Sequence, residues 1–248
     1  MTVQAEQARR LETIRKLLAK AEDQATTTAE AESLSAKAAE LMQKYCIDQA
    51  MLDAVAEVTR KPQTVGKRTI VFENQDFVPV RQHLLHVVAD HNNCTTVIID
   101  RAQPPKSEVF GFESDLDVTE MLYTSLILQA ANALIAEDVP FGETPRSFTS
   151  AWWRGFAGRV GTRLYYSRLN ARKDAEAAEP GTAVVLKNRR DEVENAFRKE
   201  HPNTYTRRAG RGGRSRAGRA AGDAAGSRAK LTTPGNISGG SASRALGR

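Results

Sequence analysis

His83, His86 and His91 stand within nine residues of one another, and Cys94 follows three positions later. Three or four such ligands converging on one point would hold zinc. His83 and His86 can share a helical face. His91 and Cys94 fall past the expected helix end, and the chain has no H-E-x-x-H run. The spacing therefore favours histidines on the surface of an amphipathic helix, and neither a metal site nor a cofactor is expected.

A second group is acidic. Asp100 and Glu108 flank a loop that also carries Lys106, and Glu113, Asp115 and Asp117 follow. Carboxylates on a β-hairpin beside a lysine are the raw material of a magnesium-dependent nuclease. The specific arrangement is missing, because no acid stands two residues before Lys106. Asp115 and Asp117 are better explained by the favourable field at a helix N-terminus. No catalytic residue is assigned. No G-x-x-x-x-G-K-[ST] or G-x-S-x-G run is present, so nothing points to a P-loop NTPase or a serine hydrolase.

The third group is basic. The chain has 36 Lys and Arg against 30 Asp and Glu, for a net charge of +6. Ten of the basic residues but only one acid, Asp223, lie beyond Thr206, which leaves 26 against 29 for the rest. A mildly acidic body with a strongly basic end points to a polyanion or an acidic protein surface as partner. Arg207, Arg208, Arg211, Arg214, Arg216 and Arg219 are the candidate contacts. Arg211-Gly-Gly-Arg214 also looks like a disordered RNA-binding tract. Against disorder, Ala209, Gly213, Ala217, Ala220, Ala224 and Leu231 fall on one face at helical spacing. Each glycine costs a helix roughly 1 kcal/mol, so such a helix needs a docking partner. Gly155, Gly158 and Gly161 offer a small-residue surface that could receive it.

The elements that would position these groups follow from periodicity. Leu11, Ile14, Leu17, Leu18 and Ala21 form one amphipathic stripe; Ala31, Leu34, Ala38, Leu41, Met42 and Tyr45 form another. Thr27 and Glu30 stand at capping-box spacing at the start of the second helix. Two helices so closely joined should fold into an antiparallel hairpin, with a short third helix capped by Asp48. Residues 68–72 are strand-prone, and Pro79 suits the first turn of a helix through Val80, Leu84, Val87 and Val88. Residues 94–99 and 108–112 read as an antiparallel hairpin. Ser114 or Asp115 is expected to cap a broadly apolar helix. Another helix starts near Ser147 and carries Trp152, Phe156, Val160 and Leu164, with both tryptophans assigned to the core. A polar break over 174–180, a last strand over 183–186 and a short helix over 191–198 complete the reading.

Ile14-Arg-Lys-Leu-Leu-Ala-Lys-Ala21 followed by Ala38-Ala-Glu-Leu-Met-Gln-Lys-Tyr-Cys-Ile-Asp48 resembles the N-terminal signature of a family of bacterial and phage proteins known as a domain of unknown function. Val109 to Asp115, Trp152 to Phe156 and Gly218 to Ala229 resemble the domain that often accompanies it. The resemblance implies a two-part α+β protein and supplies no catalytic residue.

The expected fold is α+β and mainly helical: a helical hairpin over 1–58, a linker over 59–67, and a second domain over 68–231. That domain holds a small antiparallel sheet covered by helices and ends in an Arg/Gly/Ala-rich helix; 232–248 form a flexible tail. No apolar run approaches membrane-spanning length and no signal-peptide core is present, so a cytoplasmic protein without membrane contact is expected. Cys46 and Cys94 are too few for a disulfide framework. Three function classes follow. A non-catalytic module contacting nucleic acid through the basic segment leads. A protein-interaction or assembly module comes next, and a metal-dependent hydrolase using the acids of the 94–117 hairpin is third. Oligomeric state is not legible.

Overall fold

The computed structural model describes Thr13, Lys16, Leu17, Lys20 and residues 28–56, 64–73, 76–206 and 214–231. Among these the elements are α1 (Thr28–Ala56), β1 (Gly66–Val71), α2 (Val78–His91), β2 (Thr95–Ile99), β3 (Lys106–Gly111), α3 (Glu113–Ile135), α4 (Pro145–Ala178), α5 (Thr182–Glu200) and α6 (Arg216–Arg228). The fold is α+β and mainly helical, as the periodicity predicts.

The sheet is antiparallel throughout, in the order β1-β3-β2. Alternation along β3 sends its side chains to two covered faces. Val109 joins the main core with Leu84, Leu85, Val88, Leu116 and Leu122. Phe110 faces the other way, onto Val193 and Phe197 of α5. Glu108 and Ser107 are buried with them, so β3 is the central strand in packing as well as in order.

Below the sheet, α2, α3 and α4 form the main core around Trp152, Phe156 and Val160. Trp152 stacks on Phe156, with ring centroids 5.3 Å apart, and Trp153 meets both edge to face. Both tryptophans are buried, as expected. By length and composition α3 is apolar enough to cross a membrane, which corrects the expectation that no such segment exists. Leu116, Val118, Leu122, Tyr123, Leu126 and Ala130 of α3 are buried in this fold. At its start Arg68 of β1 pairs with Glu113, Asp117 and Glu120, so these acids answer a specific cation as well as the helix field.

The N-terminal hairpin is partly visible. Thr13, Lys16, Leu17 and Lys20 are helical. Leu17 packs on the cluster of Ala38, Met42, Cys46 and Val118, and Lys20 reaches Glu30 at 3.6 Å. The connecting turn and Thr27 lie outside the described residues, as do most of the linker and the 232–248 tail. Gly66 and Lys67, assigned to the linker, begin β1.

Four local expectations are corrected. No helix starts at Asp48: α1 runs through it to Ala56, because Ile47 and Ala50 are buried against Ala171 and Leu186 and hold the helix on. Ser114 and Asp115 lie inside the first turn of α3, whose N-cap is the extended Phe112. The polar stretch from Asp174 stays helical up to Ala178. Residues 183–186 form the first turn of α5 instead of a strand. Gly181, at φ 98°, turns the chain there, and the Glu176 carboxylate accepts from the backbone N–H of Gly181 and Ala183 at 2.9 and 2.7 Å. Those donors are orphans of a helix start, and satisfying them outweighs the β-propensity of two valines.

Candidate nucleic-acid interface

The Arg/Gly/Ala segment is an ordered helix from Arg216, capped by Ser215, whose Oγ accepts from Gly218 N at 2.7 Å. It lies on the N-terminal half of α4 along a row of glycines. A Cβ on Gly222 would stand 1.9 Å from Trp152 O, one on Gly218 2.5 Å from Phe148 O, and one on Gly226 2.8 Å from Phe156 O. From the other side, a Cβ on Gly155 would meet Arg219 O at 2.1 Å. Backbone touches backbone along three turns, which is the docking partner that a glycine-rich helix requires.

The buried stripe differs in phase from the expected one. Gly218, Gly222, Ala225 and Gly226 are buried, whereas Ala217, Ala220 and Ala224 are exposed. Both sets repeat at helical spacing, but only the glycines permit this approach. Ala209 and Gly213 lie outside the described residues, and Leu231 is buried as expected. Of the three glycines offered on α4, Gly155 receives the helix. Gly158 faces open space, and Gly161 packs on Val87 of α2.

Polar contacts fix the register, and sequence reasoning singled out none of them. Arg159 forks onto the Asp223 carboxylate, with Nη2 to Oδ2 at 2.6 Å and Nε to Oδ1 at 3.1 Å. That hydrogen bond, then the attraction of the carboxylate, holds the Arg159 pKa above its ordinary value. Arg163 donates to the carbonyls of Gly226 and Ala229, which are orphan acceptors at the helix end. Gln129 and Lys230 exchange two hydrogen bonds, at 2.7 and 2.6 Å. The one acid of the basic segment is thus committed to α4.

Of the six candidate arginines, Arg214, Arg216 and Arg219 are exposed, and Arg207, Arg208 and Arg211 lie outside the described residues. Arg228, which was not a candidate, is exposed at the far end of the helix. The helix therefore buries small residues against α4, ties Asp223 to Arg159 at the edge of the contact, and leaves its guanidinium groups to solvent.

The other chemical groups are dispersed. His86 meets Thr96 Oγ1 at 2.9 Å, and His91 lies edge-on to Tyr165. Cys94 is buried, and burial raises its thiol pKa. Asp100 accepts from Tyr205 Oη at 3.2 Å. Glu108 instead meets His201 Nε2 at 2.8 Å, and its carboxylate, Glu200 and His201 form the one potential cation-binding group among the described residues. Lys67 already supplies a positive charge to both carboxylates. Asp100 is not in that group.

Asp115 is buried and pairs with the buried Arg189 at 3.5 Å, while Arg189 stacks over the Phe112 ring at 3.7 Å. Cys46 of α1 lies against this pair: burial, then Asp115, pushes its thiol pKa well up. Gln43 of α1 donates to Asn92 Oδ1 at 3.0 Å, and both are buried. These contacts join the N-terminal segment to the rest.

No curated protein and no solved structure matches this chain. Residues 9–49, which cover the first signature block and most of α1, match the family described as protein of unknown function (DUF2786).

Proposed function

We propose that the protein is a non-catalytic binding module that contacts nucleic acid through the basic face of α6 and the arginines leading into it. The observation that carries the reading is the sidedness of α6. Its glycines and its single acid face α4, and Arg214, Arg216, Arg219 and Arg228 are exposed. Rigidly presented guanidinium groups match phosphate geometry, and contacts to phosphate position a protein without reading bases. Binding should therefore be nearly independent of sequence and steeply dependent on salt.

The test is charge reversal at residues whose side chains are outside the packing. Arg216→Glu/Arg228→Glu should fold normally by circular dichroism and lose affinity for both a mixed-sequence duplex and a single strand. Wild-type affinity in that variant would contradict the reading and leave the protein-interaction class in its place.

A further inference from the structure

At the opposite end of α4 from the α6 contact, Arg168 and Arg172 stand one turn apart and donate to the same atom. Arg168 Nη2 reaches Asn93 Oδ1 at 3.0 Å and Arg172 Nη2 reaches it at 2.9 Å. Arg168 Nη1 also donates to the Asp90 carbonyl at 2.8 Å, and Arg190 of α5 donates to Asp90 Oδ1 at 2.7 Å. Asn93 lies in the turn between α2 and β2 with φ 58°, a left-handed conformation that asparagine tolerates.

The acceptor on which two guanidinium groups converge is thus a neutral amide oxygen. A carboxylate there would have neutralised one of them. Three guanidinium groups instead share one carboxylate, Asp90, and Asp115, the other acid that acts on Arg168, is committed to Arg189. Burial and then the neighbouring arginines pull the Arg168 pKa down to about 10, and burial followed by Arg190 lowers that of Arg172. Arg168 Nε is buried without an acceptor. Each guanidinium carries five N–H donors in a rigid fork, so most of the donors here remain to be used. Arg190 keeps 47% of its side chain exposed, which leaves the group open to solvent.

We propose that Arg168, Arg172 and Arg190, gathered around Asn93, form a phosphate-binding site. A tetrahedral dianion or a phosphodiester supplies the charge that the cluster lacks and accepts from the forked donors. Tyr165, one turn before Arg168 on α4, is 52% exposed and gives a base a face to stack on if the phosphate belongs to a nucleotide strand. The site uses no residue of α6, so it stands or falls apart from the reading above.

The experiment compares the full-length protein with Asn93→Asp and Arg190→Gln. Melting temperature and phosphorus NMR linewidth are followed during titration with inorganic phosphate, against chloride at equal ionic strength. The wild type should be stabilised by phosphate and not by chloride. Asn93→Asp puts a carboxylate between the arginines: it should melt higher without phosphate and bind phosphate about tenfold more weakly or worse. Arg190→Gln, altered at an exposed position, should fold and lose most of the response. A wild type indifferent to phosphate, or an Asn93→Asp protein that responds fully, overturns the proposal. A second arm measures a short oligothymidylate. Loss of its affinity in Arg190→Gln assigns the site to a strand; unchanged affinity with a lost phosphate response assigns it to the free anion. Charge reversal on α6 leaves the phosphate response intact.

Discussion

Gly222→Ala tests the packing that orients the basic face. The added Cβ would lie 1.9 Å from Trp152 O, whereas ordinary contact begins at 3.4 Å. The obstacle is backbone, so no side chain can rotate away, and α6 must rise off α4 by about 1.5 Å on the packing scale of close-packed interiors. Overpacking of this kind costs about 1–3 kcal/mol where side chains can adjust, and a backbone clash belongs at the upper end. Replacing a helical glycine returns roughly 1 kcal/mol through propensity. The net expectation is destabilisation by about 2 kcal/mol, which for a chain of this size lowers Tm by roughly 4–8 °C. Gly158→Ala is the control, since nothing lies within 4 Å of its added methyl; it should stabilise by up to about 1 kcal/mol. Denaturation followed by the fluorescence of Trp152 and Trp153 reads both, and tryptic cleavage at Arg216 and Arg219 reads whether α6 has undocked. Equal stability of the two alanine variants, with α6 still protected in Gly222→Ala, would refute the glycine docking.

Removing Arg189 should strand Asp115 as a buried charge and cost about 3–5 kcal/mol, measurable by urea denaturation, while Asp115→Leu/Arg189→Met should recover most of that loss. Met42→Ala, at a site only 3% exposed on the seam between α1 and α3, should cost about 2–4 kcal/mol in the same assay; an unchanged midpoint would mean that α1 does not pack there. Partial burial lowers the pKa of His91 below 6.5, so below about pH 6.5 the unfolded chain takes up a proton that the folded chain resists. Its contribution to stability should be complete above that pH and be lost as pH falls toward the folded-state value, and His91→Gln should flatten the pH dependence of Tm.

Local signals were legible wherever one periodicity had one use. The apolar rows of α2 and α3, the β-prone runs of β2 and β3 to within two residues, and Pro79 at a helix start all appear where they were expected. Signals failed where a tertiary contact outweighed a local preference. Asp48 is a good cap by type, yet Ile47 and Ala50 are held on α4 and α5 and carry the helix past it. Ala183 to Leu186 is β-prone, yet Glu176 caps it as a helix. In α6, composition announced a close approach without its phase, because alanine and glycine rows both repeat at helical spacing and only the partner backbone distinguishes them. The site arginines were legible as charge. The residues that orient them were not: Arg159 and Arg163 sit in a helix already rich in arginine, and nothing local marks those two as facing α6. Asn93 and Arg189 carried no signal, since each acquires its role from residues 74 or more positions away in sequence.

On the proposed reading, α6 is a rigid platform that offers its arginines to phosphate. Cutting the chain at Thr206 is a poor test, because α6 covers Trp152 and Phe156 and its loss would expose the core. The direct measurement is affinity for a mixed-sequence duplex at several salt concentrations. It is made on the intact protein and on Arg216→Glu/Arg228→Glu. One helix can turn about three or four guanidinium groups toward a duplex, so log K against log salt should fall with a slope of roughly −3 to −4, and the reversed variant should lose about half of that slope. A flat salt dependence in the intact protein, or an unchanged slope in the variant, would mean that α6 does not bind phosphate through these arginines.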